Sequence, residues 1–322
     1  MSTMLSARPG KSILIGTRGS ALALWQSRHI ASLLEKGGVA SELEIVVTAG
    51  DSRLDTPLQE LGDKGYFTAE LDKALMDGRI DLAVHSLKDL PTELSDGLAL
   101  VAVSERAEPW DVLVARDPAV ADVDDLPQGA FLGTSSPRRS AQVQAWRSDI
   151  NVVSIRGNVE TRICKLETEN LDGVILAEAG IRRLGLEERI SARFSPSILL
   201  PAVGQGALGV VASADRTDIA KIAASLLSHG PTSKAVRAER AFLHRLEGGC
   251  RVPVGAHAHF DSEGQIQLTG CVGSLDGKTM LRDEITGAET DPESLGLALA
   301  NRLLDRGADK ILTEIRGSED HD

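Results

Sequence analysis

Short apolar runs alternate with helical patterns through residues 13–176, and this alternation limits the fold more than any other feature of the chain. The apolar run 13–15 is followed by a turn at 17–20 and a helical pattern over 21–36 that ends at Gly37-Gly38. Later runs at 43–48, 81–84, 98–103, 112–114, 131–132, 152–155 and 173–176 predict further strands. Strands that alternate with helices form mostly parallel sheets, and ligands bind beyond the carboxyl ends of their strands. The sequence therefore predicts an α/β fold.

The last part of the chain has a different pattern. A helix over 232–246 is followed by alternating runs at 255–260, 266–272 and 279–285, with no helix between them. Asp291-Pro292 is typical of a helix start, and the helix that follows presents Leu295, Leu299 and Leu303 on one face and ends at Gly307. These features predict a small α+β domain with an antiparallel sheet. The segment 201–206 is interpreted as a crossing point or hinge.

Length and charge exclude several classes of protein. A chain of 322 residues is too long for one ordinary core. A net charge of -12 and 3% aromatic residues argue against general nucleic-acid or anionic-membrane binding. Three cysteines fit a reducing compartment, and neither a signal peptide nor a membrane-spanning run is evident. We therefore expect a cytoplasmic protein without nucleic-acid or membrane partners.

Arginines occur where helices are predicted to begin. Ser136-Pro137 reads as a cap and first helical residue, which places Arg138 and Arg139 in the first turn. A cation there opposes the helix dipole, so we expect an anion to compensate it. Other arginines also follow predicted strands: Arg18, Arg156, Arg162 and Arg183. Each alone is typical of a solvated charge, but the set favours one anion-binding cleft.

A polar cluster, His85-Ser86 with Lys88 and Asp89, follows the predicted strand 81–84. Its imidazole, hydroxyl, ammonium and carboxylate suit a charged substrate and acid–base chemistry. The same residues also suit a polar loop that stops at Pro91. Both interpretations stay open at this point.

Cys250 follows Gly248-Gly249 at a predicted helix end. Glycines allow a large group to approach the thiol, which favours covalent chemistry, whereas a lone cysteine is more often a small core residue. His257 and His259 share one face of a predicted strand and resemble a metal set with Cys250. No fourth ligand follows at the usual spacing, so we expect no metal site.

Taken in order along the chain, these motifs resemble the hydroxymethylbilane synthase (porphobilinogen deaminase) family. The resemblance extends from residue 15 to about residue 311. Its segments are residues 17–23, 50–51, 55–58, 64–67, 83–91, 133–139, 155–159, 161–162, 184–186, 200–207, 239–242 and the run around Cys250.

The resemblance implies two lobes like those of periplasmic binding proteins, with mostly parallel sheets, and a small α+β C-terminal domain. The first lobe would comprise 11–105 and 205–224, the second 110–200, and the third domain 229–316. The implied protein is a monomeric transferase of tetrapyrrole (haem and chlorophyll) biosynthesis. It would join four porphobilinogen molecules onto a covalent dipyrromethane primer and release linear hydroxymethylbilane by hydrolysis.

The resemblance also implies residue roles. Cys250 would carry the dipyrromethane cofactor through a thioether, and Asp89 would be the catalytic acid. The matching cofactor-binding positions are Lys88, Ser86, Ser136, Arg138, Arg139 and Arg156. The matching substrate-binding positions are Arg18, Ser20, Thr134, Arg156, Arg162 and Arg183, and Lys64 and Phe67 lie on an implied lid loop. Glu160 and Glu178 depart from the family pattern, because each adds a carboxylate near an anionic substrate.

Two other functions fit parts of the sequence. A two-lobed α/β protein with arginines in its cleft would suit a non-catalytic receptor for small anions. A thiol transferase would use Cys250 as a transient nucleophile, with His244 or His257 as its base. The covalent mass on Cys250 distinguishes these functions from a bilane synthase.

Overall fold

The computed structural model describes residues 12–47, 68–246 and 252–319. The described residues of Met1–Arg106 and Ala207–Ser233 form one compact unit, and those of Ala107–Gly206 and Lys234–Asp322 form a second. Among the described residues, no helix has the length and apolar character needed to cross a membrane.

The elements follow one another along the chain as follows. The strands are β1 Ile13–Thr17, β2 Ser41–Ile45, β3 Leu82–Ser86, β4 Leu98–Val103, β5 Asp111–Ala115, β6 Phe131–Gly133, β7 Asn151–Val153, β8 Gly173–Ala177, β9 Ala192–Arg193, β10 Leu208–Ser213, β11 Val254–Phe260, β12 Ile266–Gly273 and β13 Met280–Gly287. The helices are α1 Ala21–Lys36, α2 Ala69–Met76, α3 Pro137–Trp146, α4 Val159–Thr168, α5 Glu178–Arg183, α6 Thr217–Leu227, α7 Gly230–Arg245, α8 Pro292–Leu303 and α9 Asp309–Glu319.

The first two sheets have five strands each and the same arrangement of parallel and antiparallel neighbours. The first runs β2-β1-β3-β10-β4, and the second runs β7-β6-β8-β5-β9. In the first, β10 lies antiparallel between β3 and β4; in the second, β5 lies antiparallel between β8 and β9. The other pairs, β1 with β2 and β3, and β6 with β7 and β8, are parallel. The α/β class and the mostly parallel sheets are therefore confirmed, each sheet having one reversed strand.

Alternation along the central strands separates the apolar layers. In β5, Leu113 packs with Phe194 on one face of the sheet, whereas Val112 and Val114 pack with α4 on the other. Successive side chains of a strand point to opposite faces, so a strand buried on both sides is apolar throughout. These layers leave the carboxyl ends of β6, β7 and β8 for polar residues.

The third sheet runs β11-β12-β13 and is antiparallel throughout, as predicted. Phe242 of α7, Leu268 of β12 and Leu299 of α8 are fully buried in its core. Asp291 caps α8 by accepting a hydrogen bond from the Ser294 backbone N–H, as its position before Pro292 predicts. Leu295, Leu299 and Leu303 are all buried, which confirms the predicted apolar face of α8.

The helical region does not stop at Gly307. The backbone kinks there, with a φ of 104°, and α9 continues to Glu319. Burial of Ile311, Leu312 and Ile315 explains this extra helix, because its apolar face completes the core of the third sheet. The predicted strand 43–48 is also shifted and occupies Ser41–Ile45. The division into three domains stays a prediction; the second compact unit contains both the second and the third sheets.

Candidate active site

In the first unit, polar residues follow two neighbouring parallel strands. Gly16 of β1 pairs with Ala83 of β3, so the carboxyl ends of these strands lie side by side. Arg18 follows β1 and is half-buried. Ser20 caps α1, with its Oγ accepting a hydrogen bond from the Ala23 backbone N–H at 3.3 Å. The cap uses the oxygen lone pair, and the hydroxyl hydrogen can still serve an anion.

Asp89 lies in a single turn of helix directly after β3. The turn is anchored at one end by Leu87, which is buried and whose N–H donates to the Ala207 carbonyl oxygen at 3.0 Å. At the other end Leu90 is buried and donates to the Leu87 carbonyl oxygen. The Asp89 side chain is exposed, and Lys88 beside it is half-buried. Local packing therefore holds the turn still and leaves the Asp89 carboxylate open to a ligand.

Two further side chains complete this end of β3. Ser86 Oγ accepts a hydrogen bond from Gln26 Nε2 of α1 at 2.7 Å. His85 is buried, and its Nε2 has no hydrogen-bond partner in the described part of the chain. Burial, reinforced by the charge of Arg18, lowers the pKa of His85 to about 4. The imidazole is therefore neutral at pH 7.

In the second unit, α3 begins as its sequence predicts. Ser136 is the N-cap, Pro137 is the first helical residue, and Arg138 and Arg139 lie in the first turn. Ser136 makes no side-chain capping bond, while its backbone N–H donates to Thr134 Oγ1 at 3.2 Å. The Ser136 hydroxyl is thus not used to cap the helix.

The compensating anion expected near α3 lies inside the protein and is Asp111, the first residue of β5. Arg138 Nη1 and Arg139 Nη2 each donate to its carboxylate at 2.7 Å. All three side chains are buried. Burial alone would raise the pKa of Asp111, but the two guanidinium groups outweigh it and hold that pKa well below its usual range. The predicted binding of cofactor by both arginines stays a prediction, and the cluster carries one net positive charge.

Arg156 and Arg162 flank the turn between β7 and α4. Arg162 Nε donates to the Gly157 carbonyl oxygen at 2.8 Å, and Arg156 immediately precedes this glycine. Gly157 has a φ of +115°, and a Cβ there would lie 2.6 Å from Thr161 Cγ2. Asn158 caps α4 by accepting a hydrogen bond from the Thr161 N–H at 2.8 Å. Only glycine fits this turn, which sets the spacing between the two arginines.

Arg183 ends α5 and donates to the Gly206 carbonyl oxygen at 2.6 Å. Burial lowers its pKa to about 10, so it stays protonated at neutral pH. Glu178, one turn earlier, is buried and pairs with Arg182 at 2.8 Å and Arg193 at 2.7 Å. These pairs neutralise the carboxylate that departs from the family pattern. The other departing residue, Glu160, is exposed in the first turn of α4.

The structure thus brings the expected residues together within each unit. In the first, Arg18, Ser20, Ser86, Lys88 and Asp89 follow the neighbouring strands β1 and β3. In the second, Thr134, Ser136, Arg138, Arg139, Arg156, Arg162 and Arg183 follow β6, β7 and β8, which are also neighbours. Cys250, Lys64 and Phe67 lie outside the described residues.

Other candidates from the sequence lie elsewhere. His257 packs against Trp110, with ring centroids 4.9 Å apart, and stacks on His259 at 5.6 Å. His244 is exposed on α7. Sequence reasoning missed Asp111 as a site residue, since an aspartate at the head of an apolar strand gives no sign of which cation it meets.

Two family models match the chain. The model described as "Porphobilinogen deaminase, dipyromethane cofactor binding domain" matches residues 13–221, and "Porphobilinogen deaminase, C-terminal domain" matches residues 233–305. The porphobilinogen deaminase of Syntrophomonas wolfei is 48% identical over 308 residues, which cover 95% of this chain and 99% of that protein. That of Geobacter metallireducens is 48% identical over 307 residues, covering 95% of each chain.

The solved structures to which the chain is similar include two periplasmic proteins. The VFT2 domain of Bordetella pertussis BvgS has 15% identity and a TM-score of 0.41, covering 67% of this chain and 86% of that one. A TRAP periplasmic solute binding protein from Desulfovibrio salexigens has 12% identity and a TM-score of 0.38, covering 67% and 72%. The two family models and the sequence relatives, by contrast, agree along nearly the whole chain. The chain therefore belongs to the porphobilinogen deaminase family, whose members are transferases of tetrapyrrole biosynthesis with a dipyrromethane cofactor.

Proposed function

We propose that this chain joins four porphobilinogen molecules head to tail onto a covalent primer and then releases linear hydroxymethylbilane by hydrolysis. In each addition, the bond between the aminomethyl carbon and its nitrogen breaks and ammonia leaves. A carbon–carbon bond then forms to the free α-carbon of the terminal pyrrole, and that carbon loses its proton. The observation that carries the proposal is family membership over 95% of the chain, together with an exposed carboxylate and clustered arginines after neighbouring strands.

The donor set fits a dipyrromethane cofactor, which carries carboxylate side chains. When bound, this group supplies the pyrrole carbon that is extended. Cys250 would hold it through a thioether, and the residues that would bind its carboxylates and pyrrole rings are Lys88, Ser86, Ser136, Arg138, Arg139 and Arg156. The fit rests on the net positive charge of the buried arginine cluster at α3, in a chain whose own net charge is -12.

Asp89 is the proposed catalytic residue. Loss of ammonia leaves a cation on the incoming pyrrole unit, and a carboxylate beside the pyrrole N–H stabilises that cation by charge and by hydrogen bonding. The same carboxylate accepts the proton that leaves the α-carbon. The anchoring of its turn by Leu87 and Leu90 supports the role, because a preorganised charge needs no rearrangement during the reaction.

The remaining cations neutralise substrate. Each porphobilinogen carries two carboxylates, so the growing chain gains negative charge with every addition. Arg18, Arg156, Arg162 and Arg183, with Ser20 and Thr134, are the proposed partners of these carboxylates. Lys64 and Phe67 are proposed to belong to a loop that covers the substrate.

We further propose that the protein acts as a cytoplasmic monomer of three domains, comprising residues 11–105 with 205–224, 110–200 and 229–316. Three separate sheets, each within one of these ranges, support this division. Sedimentation of the purified chain at a single monomer mass is the expected result.

Intact mass spectrometry tests the proposed function. Freshly purified wild-type chain is expected to exceed its sequence mass by two pyrrole units, and Cys250→Ser is expected to lack this increment. Ehrlich's reagent should colour the denatured wild-type chain and leave the variant uncoloured. A wild-type chain of bare sequence mass that still forms bilane would refute the proposal.

A further inference from the structure

We infer that Asp111 is a positioning residue of the anion site, which orients Arg138 and Arg139 and leaves one edge of Arg138 for a ligand carboxylate. The inference rests on the proposed function, since it assigns a task to a residue outside the expected cofactor set. It is carried by the hydrogen-bond geometry of a buried cluster that lies within the second unit.

The Asp111 carboxylate accepts four hydrogen bonds from its neighbours. Oδ1 accepts from Arg139 Nη2 at 2.7 Å, from Arg139 Nε at 3.1 Å and from Gln205 Nε2 at 3.0 Å. Oδ2 accepts from Arg138 Nη1 at 2.7 Å. Asp111 is 0% exposed. Oδ1 is fully used by its three donors, and Oδ2 is held by Arg138. A ligand carboxylate would be repelled by this buried carboxylate, so the effect of Asp111 on a ligand must pass through the arginines.

The two arginines are used differently. Arg139 gives Asp111 the side-on edge formed by Nε and Nη2, and its Nη1 donates to the Ile175 carbonyl oxygen at 2.8 Å. Arg138 instead gives Nη1 to Asp111 and to the Leu200 carbonyl oxygen, both at 2.7 Å. Within residues 12–47, 68–246 and 252–319, Arg138 Nε and Nη2 meet no acceptor, and neither atom is sealed from solvent. That edge is the one that binds a carboxylate through two parallel hydrogen bonds.

The charges agree with this division of tasks. Two guanidinium groups and one carboxylate leave a single positive charge, which matches one carboxylate of a ligand. Gln205 adds a neutral donor to Asp111, and Gln142 also donates to the Leu200 carbonyl oxygen at 3.0 Å. Asp111 and the Leu200 carbonyl oxygen therefore hold Arg138 in place through its Nη1 atom. The cluster keeps the positive charge that attracts an anion.

Replacing Asp111 by asparagine tests the orientation. The amide NH₂ would face a guanidinium donor where a carboxylate oxygen now accepts, so at least one arginine must turn away. A misplacement of this kind costs up to about 100-fold in a reaction that depends on geometry. We expect refolded Asp111→Asn, given porphobilinogen, to gain the two-pyrrole mass increment about 10- to 100-fold more slowly than wild type.

Glu178→Gln is the matched control. Glu178 is also buried and also pairs with two arginines of the second unit, Arg182 and Arg193, neither of which is assigned to the ligand. Each chain is also made in a Cys250→Ser background, and the melting temperatures of the two forms are compared. The increase due to the bound group should shrink in Asp111→Asn and should stay at the wild-type size in Glu178→Gln, even though both changes lower stability.

Arg138→Lys serves if Asp111→Asn fails to fold, because lysine keeps the charge beside Asp111 but lacks the side-on edge. It should show the same slow loading and the same reduced temperature increase. The inference is overturned if Asp111→Asn or Arg138→Lys loads like wild type, or if Glu178→Gln loses the increase equally. A wild-type chain without any increment would instead refute the proposed function.

Discussion

Replacing Gly157 by alanine should destabilise the turn between β7 and α4 and weaken the proposed binding of porphobilinogen by Arg156 and Arg162. Gly157 has a φ of +115°, a backbone conformation that costs other residues about 1–3 kcal/mol. The added Cβ would also lie 2.6 Å from Thr161 Cγ2 and 2.7 Å from Thr161 Cβ, which costs about 1–3 kcal/mol more. The total is about 2–6 kcal/mol in the free energy of unfolding. If the turn opens to relieve the contact, the Gly157 carbonyl moves away from Arg162 Nε.

Urea unfolding and steady-state kinetics together measure this effect. Gly129→Ala is the control: Gly129 also has a positive φ, of +72°, but among the described residues the nearest atom to its added Cβ is Asn151 Nδ2 at 4.0 Å. It should lose only about 1–2 kcal/mol and leave the KM for porphobilinogen unchanged. Gly157→Ala should lose more stability and raise KM, because Arg156 and Arg162 shift. Equal losses of stability in the two variants, with an unchanged KM, would refute the reasoning.

Three further predictions concern catalysis, pH and packing. Asp89→Ala should lower turnover by about 10²–10⁴-fold while calorimetry still detects porphobilinogen binding; near-normal turnover would contradict its assigned role. The pKa of His85 is about 4 in the folded chain and an ordinary 6.5 in the unfolded chain. As the pH falls, the unfolded chain therefore binds a proton at this residue before the folded chain does. The free energy of unfolding is therefore not reduced by this residue above pH 6.5, and it falls by about 3 kcal/mol as the pH drops to 4. Chemical unfolding of His85→Gln should lack this pH-dependent loss. Gly296→Ala should lower the free energy of unfolding by about 1–3 kcal/mol, because its Cβ would lie 2.2 Å from the Ala238 carbonyl oxygen.

Matched variants control the measurements of turnover and of packing. Asp96→Ala removes an exposed carboxylate of the same unit and should leave turnover unchanged. Gly317→Ala adds a methyl group to α9 at a place where no atom of residues 12–47, 68–246 or 252–319 lies within 4 Å, so it should not destabilise the chain. A loss in Gly317→Ala as large as that in Gly296→Ala would remove close packing as the explanation.

The sequence predicts the elements of the fold better than their directions. The pattern that places a strand over 98–103 matches β4 residue for residue, and the cap at Asp291 and the first turn of α3 also lie where predicted. The reversal of β5 and β10 is not visible in the same way. A strand buried on both faces is apolar throughout, whichever way it runs, so its direction depends on where the chain enters the sheet.

The candidate site shows a similar division. Helix-capping rules place Arg138 and Arg139 in a first turn, and the helix dipole there indicates that an anion lies close to them. That anion is Asp111, which lies 27 residues before Arg138 in the chain, and only the pairing of β5 within the sheet brings it close. Arg193, one of the two partners of Glu178, is hidden for the same reason, whereas Arg182 lies only four residues after Glu178 on α5. Residue type and local spacing predict which charged residues lie in the first turn of a helix. The ion-pair partners that are distant in the chain are known only once the strands of the sheet have paired.

The place of β10 in the first sheet affects how the protein is made. A ribosome releases the chain from its amino end, so β3 and β4 emerge long before residues 208–213 that must lie between them. All strands of the second sheet lie within 111–193 and are released in the meantime. The second sheet is therefore able to assemble while β3 and β4 of the first still lack the strand that pairs with both of them. Their unpaired edges can form hydrogen bonds with strands of other nascent chains and so promote aggregation. Translation must pass residue 213 before the first sheet is complete. A truncated messenger RNA that ends earlier yields a polypeptide in which the edges of β3 and β4 stay unpaired.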